Sequence, residues 1–112
     1  MTAERWMFTL EDALSGISDA PGAVRSFYPL HHGTMKVGAY APRGTDPQKP
    51  HDRDELYIVR SGTGEFVKNG ERRRFKPDDV IFVEAGVTHR FENFSDDFVT
   101  WVVFWGRTGG ET

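Results

Sequence analysis

Pro50-His51-Asp52-Arg53-Asp54-Glu55-Leu56-Tyr57-Ile58-Val59-Arg60-Ser61-Gly62 is answered about thirty residues later by Glu84-Ala85-Gly86-Val87-Thr88-His89-Arg90-Phe91-Glu92-Asn93. Each segment sets an imidazole, and the first also a carboxylate, beside a short run of strand character that is punctuated by turn residues. Two histidines and a glutamate can therefore meet inside one small β domain. Residues of that type in that setting point to a metal-binding pocket.

The spacing within the first segment constrains how they meet. On a straight strand His51 and Glu55 would stand roughly 13 Å apart, too far to share one ion. A turn at Asp52-Arg53-Asp54 would instead close one strand at His51 and open the next at Glu55, leaving the two side chains roughly 5 Å apart. A helix would also bring residues four apart together, but Leu56-Tyr57-Ile58-Val59 favours a strand. By the period of two, Glu55, Tyr57 and Val59 share one face, and His89, Phe91 and Asn93 share another. If both faces turn inward, a His/His/Glu set lines a cavity walled by aromatic and aliphatic groups. Non-haem iron sites and His/His/Glu zinc sites use such sets.

Outward from these segments, turn signals recur every eight to twelve residues from about Thr34 onward, which predicts an all-β sandwich or barrel. Strands are expected at residues 34–41, 55–60, 63–68, 71–76, 80–83, 89–94 and 98–105, with 80–83 buried. Asn69-Gly70 is the two-residue hairpin signal, since both positions favour positive φ. Arg72-Arg73-Arg74 reads as a solvated hairpin edge, with Arg72 and Arg74 on one face. Upstream, Thr9-Leu10-Glu11-Asp12-Ala13-Leu14 carries a cap with an acidic residue three positions on, and Gly16 stops it, so a short helix is expected. Residues 1–33 are read as an arm packing on the barrel, 34–106 as the barrel, and 107–112 as a flexible Gly-containing tail. The His31-His32 pair is read as surface.

The chain has 112 residues, enough for one domain with its own core. No cysteine is present, which excludes disulfides, thiolate ligands and cysteine nucleophiles and leaves imidazole and carboxylate oxygen as ligands. A formal charge of −3 argues against a nucleic-acid footprint. No apolar run approaches the roughly 20 residues of a membrane helix. The opening Met1-Thr2-Ala3-Glu4-Arg5 lacks the pattern of a secretory signal, so a cytoplasmic location is expected.

With these residues in place, the chain resembles the small single-domain cupins. That family's first motif runs His-x-His, three or four residues, Glu, six residues, Gly; His51, Glu55 and Gly62 fall in register as the second His, the Glu and the Gly. Its second motif ends Gly-x-x-His-x-x-x-Asn, which Gly86, His89 and Asn93 match. The resemblance implies a double-stranded β-helix, or jelly roll, in which His51, Glu55 and His89 hold a divalent ion such as Fe, Mn, Zn or Ni. Lys49 stands where the first His would be, and Asp78 and Glu84 replace the usual Gly and Pro. An ammonium at Lys49 facing the cavity would repel a cation. Gln48, or one of His31 and His32, is the candidate for a fourth donor.

Three functions follow from the resemblance. The first is a metal-dependent enzyme on a small organic molecule, of oxygenase (dioxygenase-like), isomerase or lyase type, with Tyr57, Phe91, Tyr40 and Trp101 enclosing the substrate and Lys49 orienting an anionic group. The second is a module that binds a metal or small ligand without turnover. The third is a metal-free descendant marked by Lys49. A homodimer is expected as well, with Phe94, Phe98, Phe104 and Trp105 as candidates for the contact or for the internal core.

Overall fold

The computed structural model describes residues 5–112, so the first residues of the expected arm, 1–4, and the reading of the amino terminus as signal-free lie outside the described part. Helix α1 spans Leu10–Ser15. Thr9 caps it: its hydroxyl accepts from Asp12 N at 3.1 Å, and the Asp12 carboxylate accepts from Thr9 N at 3.0 Å. A helix this short is marginal in water, and its fully buried Ala13 is the anchor that docks it on the sheet.

Eight strands follow among the described residues: β1 (Ser26–His32), β2 (Met35–Tyr40), β3 (Asp54–Ser61), β4 (Gly64–Lys68), β5 (Glu71–Phe75), β6 (Val80–Val83), β7 (His89–Glu92) and β8 (Val99–Trp105). They form an antiparallel five-stranded sheet in the order β1-β2-β8-β3-β6 and a three-stranded sheet in the order β5-β4-β7. This is the all-β jelly-roll architecture. The inward residues of both sheets, Tyr40, Tyr57, Val59, Phe66, Phe75, Val83, Phe91, Val102 and Phe104, make one continuous core together with Phe98, just before β8. Phe91 is its hub, with the rings of Tyr57, Phe66 and Phe98 each 4.8 Å away.

Several details differ from the sequence reading. Strand β1 lies inside the segment read as an arm. Its Pro29 sits at a bulge between Phe27 and Leu30 on the sheet edge, where a missing N–H is tolerated, and that proline hides the strand in the sequence. His31 and His32 are exposed at its end. Strand β6, expected to be buried, is the opposite edge: Val83 is buried, but Val80 and Phe82 point outward and are exposed. The tail read as flexible is tied down, with Gly109 N donating to Asp52 O at 2.7 Å and Glu111 N to Asp54 Oδ2 at 2.8 Å.

The turn residues behave as their chemistry requires. Asn69 and Gly70 have φ of 49° and 85°, the paired positive values of the tight hairpin between β4 and β5. Gly62 has φ of 85°, and a Cβ there would lie 2.6 Å from Phe98 Cα, so only glycine lets β3 leave the sheet beside β8. Of the arginine run, Arg72 pairs with Glu65 and Glu92 on the outer face of the small sheet, and Arg73 with Glu71.

Candidate metal centre

Strand β3 starts at Asp54, so Glu55 is the first of its inward residues and is 2% exposed. His51 lies before the strand. The bend at Asp52-Arg53 returns it over Glu55, and Gly86 N fixes this bend by donating to His51 O at 2.7 Å. His89 opens β7, whose inward residues are His89 and Phe91. Asn93, expected to continue that inward set, has a left-handed φ of 51° and sits exposed beyond the strand, bonded to Glu65. The strand ends before the alternation reaches it.

These elements bring His51, Glu55 and His89 together, with one ligand atom of each within 4.8 Å of the others. Glu55 Oε1 lies 3.3 Å from His89 Nε2 and 3.7 Å from His51 Nε2. Ligand bonds of about 2.0–2.2 Å separate donor atoms on one ion by roughly 3 to 4 Å, and both Glu55 distances fall in that range. Glu55 Oε1 is buried and accepts no hydrogen bond.

Gln48 completes the cluster. Its Oε1 lies 3.2 Å from His51 Nε2 and 3.1 Å from His89 Nε2, and it accepts from the Tyr57 hydroxyl at 2.9 Å. Its amide is oriented by Asp46, whose Oδ2 accepts from Gln48 Nε2 and whose Oδ1 accepts from Gln48 N at 3.1 Å. His89 Nδ1 faces the Val87 carbonyl at 2.9 Å, which makes Nδ1 the donor and turns the Nε2 lone pair inward. His89 Nε2 and Glu55 Oε1 thus face each other at 3.3 Å beside Gln48 Oε1, which also accepts from Tyr57. Two imidazoles, a carboxylate and an amide oxygen make a donor set that fits a divalent ion.

The electrostatics agree. Burial works against the His89 imidazolium, yet the adjacent Glu55 and the Val87 carbonyl outweigh it, and its pKa is raised above the usual 6.5. His51 moves the other way: burial lowers its pKa against the pull of Glu55, with His89 and Lys36 adding to the lowering. The His51 side chain is 33% exposed against 1% for His89, so His51 marks the open side of the site.

The remaining sequence candidates part company. Tyr57 and Phe91 are buried beneath the cluster and form its floor. Tyr40 is also inside, its hydroxyl donating to Asp46 Oδ1. Lys49 is exposed, so water screens its charge and the expected repulsion is weak. Trp101 lies on the outer face of the large sheet, because the buried positions of β8 are Thr100, Val102 and Phe104; it meets Phe8 edge to face with centroids 5.7 Å apart. Phe98 and Phe104 belong to the core, Phe94 packs against it, and Trp105 lies beside Phe82 on the outer face.

Asp46 was missed by the sequence reading. It is 5% exposed and accepts hydrogen bonds from Tyr40, Gln48 and Phe91 N. Its signal lay in Asp46-Pro47-Gln48, an Asx-type turn that reads as ordinary loop punctuation.

Comparison with known proteins places the fold in a family. The chain is 36% identical over 99 residues to an uncharacterized protein of Streptomyces coelicolor, covering 87% of this chain and 92% of that one. It is 33% identical over 78 residues to the HTH-type transcriptional activator RhaS of Yersinia pestis, covering 70% of this chain but only 29% of the activator. A crystal structure of unknown function from Rhizobium leguminosarum superposes with a TM-score of 0.71 at 21% identity, over 93% of this chain and 99% of that one. Residues 36–105 match the family model described as the cupin domain, and on that match, the jelly roll and the converging motifs, this chain belongs to the cupin family.

Proposed function

We propose that this cupin holds a divalent metal ion between His51 Nε2, His89 Nε2 and Glu55 Oε1, with Gln48 Oε1 as the fourth donor, and acts through it on a small organic molecule. The observation that carries the reading is the buried Glu55 Oε1 without a hydrogen-bond donor, 3.3 Å from His89 Nε2 and 3.7 Å from His51 Nε2. A bound Fe, Mn, Zn or Ni ion would polarise a substrate oxygen or activate water or dioxygen. The chain's own residues do the rest. Tyr57, Phe66 and Phe91 close the floor against water, Val87 and Asp46 hold His89 and Gln48 in their ligand orientations, and the half-open His51 side admits the molecule to be transformed. Oxygenase, isomerase and lyase chemistry are all open to such a site, and no membrane-crossing helix is present among the described residues.

The test is product formation from a panel of small organic acids and phenols by metal-loaded and metal-free protein. Metal-dependent conversion that disappears in a folded His89→Ala variant supports the enzyme. Metal and ligand binding with no conversion across the panel supports the second reading, a binding module without turnover. That reading draws on the likeness to one part of a transcriptional activator, since the whole activator extends far beyond this chain.

A homodimer also forms part of the proposal. Its support is the outer face of the large sheet, where Leu56, Ile58, Val103 and Trp105 are half-buried and Val80 and Phe82 exposed. A second copy laid on that face would cover it. Sedimentation of wild type against Phe82→Lys tests this, with a shift to monomer expected in the variant.

A further inference from the structure

We infer that Lys36 selects an anionic ligand for the metal site, so that the small molecule acted on carries a carboxylate or similarly compact negative group. The inference rests on the metal reading for the ligand's other end but on separate residues for its charge. Register carries it first. In the β2-β8 pair, Lys36 stands opposite Phe104 and Tyr40 opposite Thr100. Phe104 and Thr100 are both buried, and side chains directly across an antiparallel pair share a face. Lys36 therefore points into the barrel, in the same row as Tyr40, although lysine on a strand ordinarily turns to water.

Its surroundings fix where the charge sits. Lys36 Nζ lies 4.3 Å from the centre of the Tyr28 ring and 5.0 Å from that of Phe104. The Phe104 ring in turn meets the His51 ring at 5.0 Å, edge to face. The ammonium is thus held on two aromatic faces next to the more exposed of the two histidines. No carboxylate pairs with it among the described residues, whereas Lys68 and Lys76 on the surface each have an acidic partner. Aromatic faces attract a cation without cancelling its charge.

Formal charge points the same way. A divalent ion would offset the carboxylates of Glu55 and Asp46, and Lys36 would then remain as a surplus positive charge on the more exposed, His51 side of the site. A small anion bridging from the open side of His51 to Lys36 Nζ would complete the balance. The sequence reading gave the anion-orienting role to Lys49; the structure moves Lys49 to the surface and sets Lys36 in the required place.

The test loads wild type, Lys36→Met and Lys36→Arg with cobalt(II) and measures metal content and Tm first. Acetate, lactate and succinate, each beside its neutral amide, are then titrated against every protein by calorimetry, with and without cobalt. Wild type is expected to bind at least one carboxylate about tenfold or more tighter than its amide. Lys36→Arg keeps most of that preference. Lys36→Met reduces it to under about threefold, while cobalt content and Tm stay at wild-type values. A wild type with no carboxylate preference, or a Lys36→Met that retains it, overturns the inference. Failure of cobalt to bind would contradict the metal reading alone, because the cobalt-free titrations decide the role of Lys36 by the same criteria.

Discussion

The Asp46 carboxylate grips both the backbone N–H and the side-chain amide of Gln48, and this fixes which end of that amide faces the two histidines. A glutamine amide presents a donor or an acceptor depending on a rotation of half a turn. Asp46 takes the NH₂ end, so Oε1 is the atom delivered to His51 and His89.

Asp46→Asn should therefore weaken metal binding without touching a ligand. The new amide can no longer accept from every donor that Asp46 satisfies, so the Gln48 amide loses its fixed orientation. Groups that orient metal ligands are typically worth about 10- to 100-fold in affinity, and a loss in that range is expected. Competition against a chromophoric chelator measures it. Affinity within twofold of wild type would remove Asp46 from the account.

The packing makes a sharper claim about stability. Phe91 is 1% exposed and stacks at 4.8 Å on three rings, so Phe91→Ala should cost about 3–5 kcal/mol in urea unfolding. Gly62→Ala should cost about 2 kcal/mol or more through its positive φ and its close approach to Phe98. Gly44, at φ of 73° with open space around it, is the control: strain alone acts there, and the loss should be smaller. Equal losses at the two glycines would show that the contact with Phe98 is unimportant.

Alkaline titration reports on the barrel interior. The chain has three tyrosines, and burial raises all of them above the usual 10, Tyr28 to about 12. For Tyr28, burial is the main cause and the nearby Glu55 charge adds to it. A group whose pKa is raised by folding stabilises the fold fully below its unfolded pKa. That contribution is lost as pH rises through the folded one. Stability should thus hold to about pH 10 and decline between about 10 and 12. Absorbance near 295 nm should show no tyrosinate before the circular dichroism of the fold collapses. Tyrosinate appearing near pH 10 in folded protein would place at least one ring in water.

Much of this was legible from residue patterns, for reasons that can be named. The Asn69-Gly70 hairpin, the Thr9 cap and the alternation through Glu55, Tyr57 and Val59 are local signals, and each held because local geometry and burial ask for the same residues. Strand β1 escaped because Pro29 argues against a strand unless a bulge and an edge position are known beforehand. The exposure of β6 escaped because an apolar tetrad looks the same at a sheet edge as at its centre. Lys36 and Asp46 were invisible for a deeper reason. Their inward placement comes from the strand that lies across from Lys36 and from a contact between Asp46 and the distant Phe91, and neither is written in neighbouring residues.

The most direct test of the metal centre is elemental analysis of purified wild type, His51→Ala and His89→Ala after separate incubation with iron, manganese, nickel and zinc and removal of free ions. About one ion per chain is expected in wild type for at least one of these metals, and little or none in either variant, with all three proteins folded by circular dichroism. Wild type that stays empty with all four metals, or variants that retain the ion, would contradict the metal centre.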